Sequence, residues 1–127
     1  MKVIRATDRA FEPASHEQPQ NPGVWKRVLA TRGELLDGRV QMINWAKLPA
    51  GSAFRAHYHE DMEEIFILTE GVAMMRSGSD EVSLSAGDAA IVPPREVHVM
   101  RNGSDHEVQY IVVGISSGQD GQTVVVE

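Results

Sequence analysis

His57 and His59 stand two apart in the segment Phe54-Arg55-Ala56-His57-Tyr58-His59. On a strand, residues at i and i+2 leave the same face about 6.6 Å apart along the chain, near enough for their imidazole nitrogens to meet one ion at roughly 2.1 Å each. Carboxylates follow at Glu60, Asp61, Glu63 and Glu64, and another histidine, His98, comes after Pro93-Pro94-Arg95-Glu96-Val97. The chain has no cysteine. Thiol nucleophiles, disulfides, zinc fingers and iron-sulfur clusters are thereby excluded, and any metal must be held by imidazole and carboxylate. Such donors suit one divalent transition ion, Mn, Fe, Zn, Ni or Cu, whereas the absence of thiols disfavours Cu(I).

Histidines two apart matter only if a strand presents them, and the rest of the chain predicts strands. The 127 residues are 42% hydrophobic and 24% charged, enough for one domain around one core. From Trp25 onward, short β-branched or aromatic runs are separated by turn signals, and no stretch keeps the 3.6-residue period for several turns. Asp37-Gly38 and Asn102-Gly103 are expected to make tight hairpins, and Ser77-Gly78-Ser79-Asp80 to fold Ile65 to Arg76 back onto Glu81 to Leu84. Thr123 to Val126 is expected as a last strand, covered by a neighbouring subunit. The chain therefore reads as all-β, a sandwich or small barrel spanning residues 24–127. Residues 1–23, with Pro13, Pro19, Pro22 and Gly23, read as an extended N-terminal arm or loop.

Charge and hydropathy narrow the partners. The net charge is -6, which disfavours nucleic acid as a partner. No apolar run approaches the roughly 20 residues of a spanning helix, and the start lacks the apolar stretch of a signal peptide. No membrane partner and a cytoplasmic location are the expectation.

The spacing of the candidate ligands resembles a known family. Gly51, His57, His59, Glu64 and Gly71 fall at the intervals of the first cupin motif, and Gly87, Pro93, His98 and Asn102 at those of the second. The resemblance covers residues 51–102 and departs at Arg95, where the family's second motif usually has glycine. It implies a cupin-type double-stranded β-helix, a jelly-roll barrel of two antiparallel sheets, and a homodimer. It also implies that His57, His59, Glu64 and His98 hold the metal.

Glu63 competes with Glu64 for the carboxylate role, because adjacent strand residues face opposite ways. The interval to Gly71 favours Glu64, and with it Phe66 and Leu68 point inward while Ile65 and Ile67 face the other sheet or a partner, as in a strand buried on both sides. Three neutral imidazoles and one carboxylate around a divalent ion carry net charge +1, which suits a small anionic ligand. Arg55, in phase with His57 and His59, is expected to point into the same cavity, with Phe66 and Met100 as further substrate-binding residues. His16 and His106 lie outside both motifs and read as solvent-facing. A metalloenzyme of the dioxygenase, isomerase or decarboxylase type is the leading functional reading. A non-catalytic binding or sensing module is the alternative, since one fold hosts many activities.

Overall fold

The computed structural model describes residues 1–117 and 122–126. Its strands are β1 (Glu12–Pro13), β2 (Trp25–Thr31), β3 (Val40–Leu48), β4 (His57–His59), β5 (Met62–Glu70), β6 (Val72–Ser77), β7 (Asp80–Ser85), β8 (Ala89–Val92), β9 (His98–Arg101), β10 (Val108–Ser116) and β11 (Thr123–Val125). Period-two alternation decides their orientation. In β5, Met62, Glu64, Phe66 and Leu68 are buried while Glu63, Ile65 and Ile67 are half-buried on the other face. β10 repeats the pattern with Val108, Tyr110 and Val112 inside. One sheet runs β1-β2-β3-β10-β5-β8 and the other β11-β4-β9-β6-β7, all pairs antiparallel. The architecture is the jelly-roll barrel that the sequence predicts. Leu48, Leu68, Met75, Met100 and Val108 fill the core between the sheets. No helix among the described residues is long and apolar enough to cross a membrane.

The turn signals fare unequally. Ser77 pairs with Asp80 across a two-residue turn in which Gly78 has φ +60, as expected. The run from Ile65 to Arg76 is broken at Gly71, where φ is +86 and the chain leaves one sheet for the other. A Cβ there would stand 2.9 Å from Val108 Cγ2, so the crossing requires glycine twice over. Asn102-Gly103 makes no hairpin, because β9 and β10 belong to opposite sheets. Asn102 is instead a buried clamp: its amide donates to the carbonyls of Leu48, Pro49 and His106 at 3.0, 3.2 and 2.7 Å. Asp37-Gly38 does lie between paired strands, but the link begins with a 3-10 turn at Arg32–Glu34 and is longer than a tight hairpin. Glu34 organises it, accepting from the Thr31 backbone, Lys2 and Arg9.

The departure at Arg95 leaves a measurable mark. Arg95 is the one non-glycine residue with positive φ among those described, at +65, and its N–H donates to the His59 carbonyl at 2.7 Å. The left-handed backbone costs a non-glycine residue roughly 1 kcal/mol. Its exposed ion pair with Glu60, at 3.9 Å, returns little of this. Arg95→Gly is therefore expected to raise stability by about 1 kcal/mol in urea unfolding, and a fall would refute the strain assignment.

Candidate metal centre

Strand register assembles the candidate ligands. His57 on β4 lies directly opposite His98 on β9, and His59 is two residues further along the same face. Glu64 reaches them from β5 in the opposing sheet. One donor atom from each of His57, His59, Glu64 and His98 lies within 4.8 Å of all the others, and the four residues are buried. The alternation of β5 that buries Glu64 sends Glu63 to the outer face.

The outward nitrogen of each ring is held. His57 Nδ1 donates to the Arg55 carbonyl at 2.6 Å and His98 Nδ1 to the Glu96 carbonyl at 3.0 Å. His59 Nδ1 meets Thr123 Oγ1 at 2.9 Å, a contact created by the pairing of β11 with β4. A carbonyl can only accept, so the neutral His57 and His98 rings carry their proton on Nδ1 and keep a lone pair on Nε2. Yet His98 Nε2 lies 3.1 Å from Glu64 Oε1, which is also an acceptor, and His59 Nε2 lies 2.8 Å from the same oxygen. Two acceptors face each other unless a cation or a proton stands between them. This fixed tautomer, with imidazole and carboxylate lone pairs converging in a buried site, fits a divalent metal ion.

Electrostatics point the same way. Burial weighs most on His57 and, with the neighbouring His16 and His98, lowers its pKa to about 3, against smaller raising effects of the Arg55 carbonyl and Glu64. The ring is neutral at pH 7, as a metal ligand must be. Burial raises the Glu64 pKa, but a positive partner outweighs it: hydrogen bonds and charge from His59 and His98, when those rings carry a proton on Nε2, hold the group well below the usual carboxylate range, and a metal ion would stand where those protons do.

Beside the cluster is a cavity of about 290 Å³ whose wall includes Phe54, Phe66, Asn44, Tyr110, Lys26 and His16. Burial, and then the Glu64 charge, pushes the Tyr110 phenol upward, so it stays protonated. The Asn44 side-chain oxygen is buried with no hydrogen-bond partner among the described residues. Of the expected substrate contacts, Phe66 is on this wall. Met100 is fully buried in the core and is not part of it. Arg55 lines a separate depression with Glu17, Gln18 and Gly23. The phase argument fails for Arg55 because β4 begins only at His57. The Arg55 peptide is instead tied on both sides: its N–H donates to Glu17 Oε2 at 2.8 Å and its carbonyl accepts from His57.

His16 overturns a second expectation. It is not solvent-facing: its ring stacks on that of His57, with centroids 4.0 Å apart and planes at 23°. The arm returns over the barrel because β1 pairs with β2 and Ala14 and Glu17 are buried. No periodicity signals this. The adjacent His16-Glu17 pair followed by Pro19 and Pro22 is the one trace of it in the sequence. His106 is exposed as expected.

A sequence model of the cupin domain matches residues 44–114, more than half the chain and both ligand motifs. The chain belongs to the cupin family. Among its relatives, an oxalate-binding protein of Thermotoga maritima is 25% identical over 111 residues, covering 87% of this chain and 91% of that one. A crystal structure from the same organism, described as a predicted oxalate decarboxylase, superposes with a TM-score of 0.79 at 23% identity over 91% of this cupin and 99% of that chain. The polyketide cyclase RemF of Streptomyces resistomycificus gives 0.80 at 19% identity, over 100% of this chain and 86% of its own. At such identities the structural likeness establishes the fold. The four-residue cluster that could hold a metal ion stands on its own geometry.

Proposed function

We propose that this cupin holds one divalent metal ion on His57, His59, Glu64 and His98 and acts as a metalloenzyme on a small organic acid bound in the cavity beside them. The observation that carries the reading is the confrontation of His98 Nε2 with Glu64 Oε1 at 3.1 Å, each with a lone pair to share. A bound divalent ion would supply Lewis acidity and coordination positions left open by four protein donors. The protein's own part is to turn three imidazoles inward, to line the cavity with the apolar rings of Phe54 and Phe66, and, with neutral rings and the ion bound, to leave a site of net charge +1 for an anion. The resemblance of the motifs leaves dioxygenase, isomerase and decarboxylase chemistry open, and the oxalate named for one relative and one structural neighbour supports a small carboxylate as the ligand. The oxalate-binding relative favours a second reading, a module that holds the acid without turning it over.

Oxalate separates these readings. Metal-loaded protein is expected to bind oxalate at least ~100-fold more tightly than metal-free protein in calorimetry. Formate and carbon dioxide released in equal amounts would establish a decarboxylase, and oxalate recovered unchanged the binding module. Equal affinity with and without metal would sink both.

The division into an arm of residues 1–23 and a barrel of 24–127, of which 118–121 and 127 lie outside the described residues, belongs to this proposal, as do the homodimer and the cytoplasmic location. The dimer is supported by β8, an edge strand whose Ile91 side chain is 66% exposed.

A further inference from the structure

His16 lies outside both cupin motifs, yet its ring forms part of the cavity wall and covers the ring of His57. Its Nδ1 lies 2.7 Å from Glu17 Oε2. The Glu17 carboxylate is buried and held by two further donors, the N–H of Gly23 at 2.7 Å and that of Arg55 at 2.8 Å. The arm has no freedom to drift at this point. A Cβ on Gly23 would stand 1.9 Å from the Ala53 carbonyl oxygen, so the backbone there is seated directly on the segment that leads into β4. Glu17 accepts three hydrogen bonds and stays ionised: burial raises its pKa, and the bonds from His16, Arg55 and Gly23 outweigh that and lower it. A carboxylate that only accepts fixes the proton of the neutral His16 ring on Nδ1. Nε2 is then a lone pair on the ring edge away from Glu17, and no hydrogen bond to it exists among the described residues.

A fixed lone pair on the wall of a cavity, beside a ring that faces the metal cluster, selects a ligand with a proton to give. We propose that His16 is a ligand-contacting residue whose Nε2 accepts a hydrogen bond from a hydroxyl of the bound acid, so that the protein is built for hydroxy acids rather than plain carboxylates. The inference rests on the small-acid reading above and adds the hydroxyl to it. The metal cluster takes the carboxylate; His16, carried by the arm and oriented by Glu17, takes the neighbouring O–H.

Malonate and 2-hydroxymalonate differ by that one hydroxyl. In calorimetric titration of the metal-loaded protein, hydroxymalonate is expected to bind about 10-fold more tightly than malonate. His16→Phe keeps an aromatic ring over His57 and removes the acceptor. It should bring the two acids within ~2-fold of each other, whatever it does to the affinity they share. The hydroxyl could also reach an open metal position, and the loss of preference in His16→Phe is what separates the two causes. His16→Gln, whose amide oxygen can still accept, should restore part of the preference, and Glu17→Gln, which frees the tautomer, should weaken it. No preference in the wild type, or a preference that survives His16→Phe, overturns the role of His16 and leaves the metal-bound acid standing. Failure of both acids to bind with metal in place overturns the small-acid reading itself.

Discussion

Glu64→Gln is expected to lower metal affinity by at least about 100-fold while leaving the metal-free barrel as stable as before or more so. The two effects have opposite signs because, on the proposed function, the same oxygen would serve the metal and burdens the metal-free fold. Glu64 Oε1 faces Nε2 of both His59 and His98, at 2.8 and 3.1 Å, in a buried site. A glutamine of the same shape supplies no anionic donor for the ion, yet its amide can donate to the His98 lone pair and removes a buried charge. The gain in metal-free stability is about 1 kcal/mol or less, read from urea unfolding; the loss of metal is read by elemental analysis of protein purified without added metal. His98→Ala should lose stoichiometric metal as well, and His106→Ala, whose ring is exposed, should not. Undiminished metal in Glu64→Gln or His98→Ala would refute the ligand set. A metal-free Glu64→Gln barrel that is markedly less stable would show that the carboxylate is a structural partner and not a ligand in waiting.

The ligand geometry was legible in the sequence because it depends on rules with a short range. His57 and His59 share a face through the two-residue period of a strand, and the same period buries Glu64 and turns Glu63 outward. The interval from Glu64 to Gly71 is equally local, since Gly71 marks the point where the chain changes sheets with φ +86. What escaped depends on contacts between distant segments. Arg55 is only two residues from His57, but the strand stops between them, and its peptide is captured by Glu17, which is 38 positions away. His16 enters the cavity because β1 docks on β2 and Gly23 presses on Ala53, and neither contact leaves a periodic trace. The Asn102-Gly103 dipeptide misled for a related reason. A hairpin signal describes a local turn, and only the global topology reveals that β9 and β10 stand in different sheets.

Acid should weaken the metal-free fold well before its carboxylates titrate. His57 has a folded-state pKa of about 3 against an ordinary value of 6.5, chiefly because burial disfavours the charged ring. Between those values the unfolded chain binds a proton that the folded chain refuses, so stability falls as pH drops from about 6.5 towards 3 and is fully retained above 6.5. Glu17 acts in the same direction, but its depressed pKa places the loss of its contribution below the ordinary value of 4.5. A comparison of pH 7 with pH 5 therefore isolates the imidazole, for which the linkage relation gives a loss on the order of 2 kcal/mol. Urea unfolding of metal-free protein at the two pH values measures it, and His57→Gln, which has no proton to refuse, should remove most of the difference. The metal-loaded protein should lose more over the same interval, since protons then also compete with the ion for the ring nitrogens. A metal-free stability that is flat from pH 7 to pH 5 would mean that His57 accepts a proton in place, and the neutral, inward-facing Nε2 on which the metal site depends would be wrong.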